Sequence, residues 1–290
     1  MVTILALAAA ALYGSADFLG GVASRRASAF AVLAVTVPAG AAVMVAAGLV
    51  TGGWGAVATP SAAGWAAAAG ACGALGLVAF YAAFAAAPMS VVAPVAALIS
   101  TVLPVGIAVA EGERPTPGVA AGAVICIAAV VLVSLGQRPD DGAGGGPGHG
   151  LRGVGYAVCA GAAFGLFFLF LKNAGASGVI WPVAIARLAG AVVAFACCAV
   201  TRIRPLGWGR GRASRAVFGI ALASGAVDAA ANVCYVLATR AGLFGVVVVI
   251  TSLYPGMTVL LARVVLGERM RWVQRAGLAL AAAGLILVTA

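Results

Sequence analysis

Apolar residues run through this chain in stretches of about twenty, the length that a helix needs to cross the hydrocarbon core of a bilayer. Short gaps rich in Arg, Gly and Pro separate them. Cutting at those gaps predicts ten helices, at 3–24, 29–50, 62–86, 88–110, 116–136, 153–172, 178–200, 216–238, 242–266 and 271–290. Most gaps are too short for anything but an antiparallel return to a neighbouring helix. Two are longer. Residues 137–152, "QRPDDGAGGGPGHGLR", read as a flexible Gly-rich linker, and 201–215 as a basic loop.

The linker divides five helices from five, giving a first repeat at 1–136 and a second at 153–290. The halves share landmarks at a common offset. Gly112-Glu113-Arg114 falls on Gly267-Glu268-Arg269, Leu98 on Leu253 and Gly122 on Gly277; with a one-residue slip, Tyr81 falls on Tyr235. Five is odd, so a second copy would start on the opposite side of the membrane. The expected fold class is an all-α integral membrane protein, with ten transmembrane helices as two inverted repeats around a central cavity, a plan that recurs in secondary transporters. At each Gly-Glu-Arg corner, Gly is expected to end a helix in the left-handed conformation. Glu is expected at the positive start of the following helix, with Pro115 in its first turn.

Composition removes the soluble alternatives. Hydrophobic residues make up 64% of 290 positions and charged residues 8%, where a soluble domain carries about a quarter charged. The net charge of +10 comes from Arg scattered in gaps, with no continuous groove or aromatic interleaving, which excludes nucleic acid as a partner. The odd-numbered gaps hold Arg25, Arg26, Arg138, Arg152, the cluster from Arg202 to Arg215, Arg269 and Arg271. The even-numbered gaps hold Arg114, Lys172 and Arg240. The positive-inside rule then places odd gaps in the cytoplasm and both termini outside. No basic stretch precedes the first helix, so residues 1–24 read as a spanning helix rather than a cleaved signal. The six cysteines all fall inside apolar runs without zinc spacing and read as buried packing thiols. His149, the one histidine, sits in the linker, and the run "GAGGGPGHG" lacks a following Gly-Lys-Ser/Thr. Nothing here suggests an enzyme, a metal site or a cofactor.

Three charges lie at mid-helix, where each costs ~2.5–3.5 kcal/mol unless it is paired or faces water. They are Asp17, Arg187 and Asp228. In the eighth segment Ser224, Asp228, Asn232 and Tyr235 recur at helical spacing and share one face, which must look inward. Tyr13 and Asp17 form a smaller version in the first segment. Arg187 with either acid is a candidate ion pair. Two acids against one base leave an excess carboxylate, a candidate proton carrier. The fourth and ninth segments are expected to be interrupted, at Pro94 and Pro104 and at "ITSLYPGMT" (250–258). Tyr254 and Trp181 are candidate aromatic walls, with packing or interfacial anchoring the plainer role for Trp181.

The stretches "LYGSADF" (12–18) and "LYPGMTVLLARVVLGER" (253–269), with Arg187, resemble an EamA-type member of the drug/metabolite transporter superfamily over essentially the whole chain. The resemblance implies a ten-helix, basket-like fold moving metabolites, amino acids or drugs across the plasma membrane. The chain departs from that pattern at Ser100, where a proline is expected, and at Asp17, where a neutral polar residue is usual. The expected function is a multi-pass secondary carrier in the plasma (inner) membrane, exporting a small-molecule substrate by alternating access, with protons as the candidate coupling ion. Tyr13, Asp17, Arg187, Asp228, Asn232, Tyr235 and Tyr254 are its candidate binding residues. The alternative is a membrane scaffold or signalling subunit that moves nothing.

Overall fold

The computed structural model describes residues 1–52, 59–87, 89–135, 149–202, 212–267 and 270–289, and all regular structure among them is α-helical. The helices are α1 (Val2–Ser24), α2 (Ala29–Thr51), α3 (Pro60–Ala86), α4 (Met89–Ala110), α5 (Pro117–Leu135), α6 (His149–Gly175), α7 (Ile180–Thr201), α8 (Arg212–Ala241), α9 (Phe244–Thr251), α10 (Tyr254–Leu266) and α11 (Trp272–Thr289). Among the described residues, nine helical stretches are long and apolar enough to cross a membrane, with α9 and α10 together forming one of them, and α11 is a shorter apolar helix. The ten expected segments are thus all present.

Local chemistry explains the ends. Ser28 caps α2 by accepting the amide of Ala31 at 3.3 Å, and Pro60 opens α3 where its missing N–H costs nothing. Gly112 and Gly267 have φ of +101° and +67°, the left-handed stop that glycine supplies without strain.

Packing pairs the helices across the chain. α1 lies on α8, α3 on α6, α2 on α7 and α5 on α11; α4 packs on α6 and α9, while α1 also meets α9 and α10. Small residues permit the closest approaches. A Cβ on Gly40 of α2 would come within 2.8 Å of the Gly225 carbonyl on α8, so these backbones touch as membrane helices do when no side chain intervenes.

Four expectations need correction. The linker expected at 137–152 lies outside the described residues as far as 148, but α6 is already helical from His149. The fourth segment is not interrupted: α4 continues through Pro94 and Pro104. The break is confined to the ninth segment, where Pro255 is followed by Gly256 and two residues, Ser252 and Leu253, separate α9 from α10. Pro115 does not enter a helix. α5 begins at Pro117, and the Thr116 hydroxyl accepts the Val119 amide at 3.4 Å. Finally, of the six cysteines Cys126 and Cys198 are buried, Cys72, Cys197 and Cys234 are half-buried and Cys159 is exposed.

The Gly-Glu-Arg corner is the most informative difference. Glu113 does not sit on the helix that follows it. Its Oε1 accepts the Phe244 amide at 2.7 Å and its Oε2 the Gly245 amide at 2.9 Å, so it caps the distant α9. A carboxylate is favoured wherever unpaired amides converge, and tertiary packing brings α9, not α5, within reach. Nearby, Lys172 at the end of α6 pairs with Glu111 at 3.1 Å and lies 4.6 Å from the centre of the Phe244 ring. These groups all belong to the fourth, sixth and eighth gaps and tie that side of the bundle together.

Candidate functional site

The polar face of α8 does look inward, and each of its groups finds a partner. Ser224 donates to the Ala16 carbonyl of α1 at 2.9 Å. Asp228 forms an ion pair with Arg187 of α7, whose guanidinium also donates to the Asp228 carbonyl at 3.4 Å. Asn232 receives the Tyr13 hydroxyl at 2.8 Å and donates back to the Asp228 carbonyl at 2.6 Å. Tyr235 donates to the Phe168 carbonyl of α6 at 2.8 Å. One helix face therefore stitches α1, α6 and α7 together at mid-depth.

The cluster is graded from wet to dry. Tyr235 and Asn232 are 0% and 1% exposed, whereas the side chains of Arg187 and Asp228 keep 13% and 26% of their surface. Asp17 is exposed. Its place on α1 makes that exposure significant, because Ala10, Tyr13 and Gly14, at seven, four and three residues before it, are all buried. They share its helix face. Asp17 is thus open on the inner side of α1, not on the side that meets lipid. Asp228 likewise sits among buried Ser224, Gly225 and Ala229. Both carboxylates thus keep accessible surface beside buried residues of their own helix faces.

Among the described residues, the Asp17 carboxylate has no hydrogen bond or ion pair. Its chain neighbour Ala16 accepts the Ser224 hydroxyl, so α1 meets α8 one residue away from it. Tyr254, the first residue of α10, stands with its ring centre 6.4 Å from that of Tyr13, edge to face. Gly14 lets the α10 backbone come this close: a Cβ there would meet the Tyr254 carbonyl at 2.5 Å, and Thr258 donates to the Gly14 carbonyl at 3.1 Å. Below the break, Thr251 is fully buried and its hydroxyl is unpartnered.

Tyr13, Asp17, Arg187, Asp228, Asn232, Tyr235 and Tyr254 are therefore gathered in one region. Trp181 is apart. Its indole donates to the Gly52 carbonyl at 3.1 Å and its ring lies on Gly48, which makes it a packing group between α2 and α7. Sequence reasoning missed Phe168, whose ring stands 6.0 Å from Tyr13 and 5.0 Å from Tyr235. It also missed Tyr81, whose ring centre lies 5.3 Å from that of Phe30 with the planes tilted at 58°. Phe168 was hidden in the apolar run "FGLFFLF" (164–170). Tyr81 carried a faint signal as the repeat counterpart of Tyr235.

Residues 151–290 match the EamA-like transporter family. A solved structure described as "Crystal structure of protein" is 23% identical, with a TM-score of 0.79, and the match covers 99% of this chain and 96% of that one; it shares the fold. No curated protein matches the chain in sequence.

Proposed function

We propose that this protein is a secondary active carrier that exports a small solute across the plasma membrane by alternating access, through a crevice lined by Asp17, Arg187 and Asp228. Tyr13, Asn232 and Tyr235 form the layer that holds those charges in place, and Tyr254 forms a wall beside the α9–α10 break. The observation that carries this reading is the surface that Asp17 and Asp228 keep beside buried residues of the same helix faces, Tyr13 and Gly14 on α1 and Ser224 and Asn232 on α8. A scaffold has no use for uncovered carboxylates at that depth, where they cost several kcal/mol.

The helix pairings support two inverted repeats. Exchanging each helix of one half for its counterpart in the other reproduces the main pairings: α3 on α6 becomes α8 on α1, α3 on α7 becomes α8 on α2, and α2–α7 and α5–α11 map onto themselves. Alternating access follows if the two halves exchange roles. The direction of opening also fits. On the inner face of α1, Ala6, Ala9 and Ala10 are buried while Asp17 and Gly21 are exposed, so the crevice widens toward the odd-numbered gaps, the cytoplasmic side by the arginine bias. The opposite side is tied by Glu113 and Lys172. Coupling to protons would use the same carboxylates.

Purified protein in liposomes, preloaded with a metabolite mixture and tested for counterflow with and without a proton gradient, checks the reading. Exchange of at least one solute, lost in Asp228→Asn, is expected. Absence of exchange for every solute class under both conditions removes it.

A further inference from the structure

A threonine inside a packed helix has no water to bond and turns its hydroxyl back on a carbonyl three or four residues earlier. Thr51 does so with Ala47 at 2.8 Å, Thr101 with Ala97 at 2.9 Å and Thr239 with Val236 at 2.9 Å. Thr251, the last residue of α9, does not. Its side chain is 0% exposed and its hydroxyl has no partner among the described residues. The equivalent acceptor, the Val247 carbonyl, stands one turn back along the same helix.

The backbone is disturbed at the same point. The Ser252 amide still makes the α-helical bond to Val248 at 2.8 Å, but the Leu253 amide tightens onto Ile250 at 3.1 Å and the Gly256 amide onto Leu253 at 2.9 Å. Pro255 has no N–H to offer the Thr251 carbonyl. The residue with the orphaned hydroxyl therefore stands where the span parts. Water does not reach it: Val247, Val248, Val249 and Ile250 are no more than 1% exposed. With α9 packed on α1, α4 and α5, a side chain so enclosed turns only when its neighbours move. A buried hydroxyl without a partner is costlier than a closed bond is favourable, so this arrangement weighs against the state it belongs to.

We infer that Thr251 is a positioning residue of the transport cycle, whose hydroxyl is orphaned in the state open toward the odd-numbered gaps and bonds the Val247 carbonyl in the opposite state. This rests on the carrier reading above. When α10 swings about Ser252 and Leu253, the packing on Thr251 loosens and the hydroxyl turns back on its own helix. The missing bond keeps the bundle from settling in the state open toward the odd-numbered gaps.

Thr251→Val removes the hydroxyl and keeps the shape, whereas Thr251→Ser keeps the hydroxyl. Ala6, on the inner face of α1 and 0% exposed, reports the opposite state. A cysteine there, on an otherwise cysteine-free chain in lipid nanodiscs, reacts with a membrane-impermeant maleimide when that side opens. Thr251→Val should raise the thermal transition and slow this labelling at least about fivefold, with counterflow in liposomes slowed alongside. Thr251→Ser should label within about twofold of the unaltered chain. An unchanged or lower transition in Thr251→Val, or labelling as fast as in the unaltered chain, overturns the inference. The two readings can fail separately. Slower labelling of Thr251→Val with no flux of any solute in the unaltered chain refutes the carrier and leaves the two-position hydroxyl. Counterflow in the unaltered chain with labelling indifferent to Thr251→Val refutes the hydroxyl's role and leaves the carrier.

Discussion

Glu113 and Phe244 stand more than a hundred positions apart, yet the Glu113 carboxylate accepts the Phe244 amide at 2.7 Å and closes the start of α9. With the second bond to Gly245, one side chain from the first half caps a helix of the second. Glu113→Gln leaves one acceptor and removes the charge that the α9 amides favour. It should lower stability by about 1–2 kcal/mol, read as an earlier thermal transition in detergent. An unchanged transition would show that the cap does not tie the halves.

The Arg187–Asp228 pair should punish one-sided changes. Arg187→Met leaves a half-buried carboxylate without its partner and should cost about 3–5 kcal/mol. Changing both, Arg187→Met with Asp228→Leu, should restore most of that stability while leaving no transport. Recovery of folding is checked by thermal unfolding and loss of flux by counterflow. If the double variant transports normally, the pair is structural only.

Lys172 holds the even-gap side through Glu111 and the Phe244 ring. The pair is partly solvated, with side chains 27% and 51% exposed, so it contributes about 1 kcal/mol or less. Lys172→Met should shift the opening equilibrium by up to about fivefold toward exposure of that side. A cysteine introduced at Leu243, on an otherwise cysteine-free chain, should then react faster with a membrane-impermeant maleimide. An unaltered labelling rate would show that the Lys172–Glu111 pair does not hold that side closed.

The α9–α10 break is the fourth test. Pro255 has no N–H, so α10 cannot continue the hydrogen bonding of α9. Pro255→Ala restores a donor and should straighten the span, raising thermal stability while slowing transport severalfold. Faster transport would show that the break is not a hinge.

Much of this could be read before any coordinates. The ten spans follow from apolar runs alone, and even the shared inner face of Ser224, Asp228, Asn232 and Tyr235 follows from their spacing. The Arg187–Asp228 pairing was only one of two options, because spacing along α7 says nothing about whether α1 or α8 lies opposite. Similarly, Gly112 was recognisable as a stop, but the destination of Glu113 was not. A carboxylate's neighbours in sequence are visible, while its neighbours in space depend on helix packing.

The α4 expectation failed for a related reason. A proline frees a carbonyl wherever it stands, but whether the helix then parts depends on what supports the freed group. Pro255, followed by Gly256, separates two helices; Pro104, inside a well-packed α4, does not.

What the chain determines by itself is therefore its solvent and its spans: local hydrophobicity decides that twenty-residue stretches lie in lipid, and each helix satisfies its own backbone there. The tertiary structure alone decides which charges meet. The energy of an ion pair or a cap depends on distances of a few ångströms between remote segments, and those distances come from the packing of small residues such as Gly14, Gly40 and Gly225. It was this packing that joined Asp228 to Arg187 and left Asp17 uncovered.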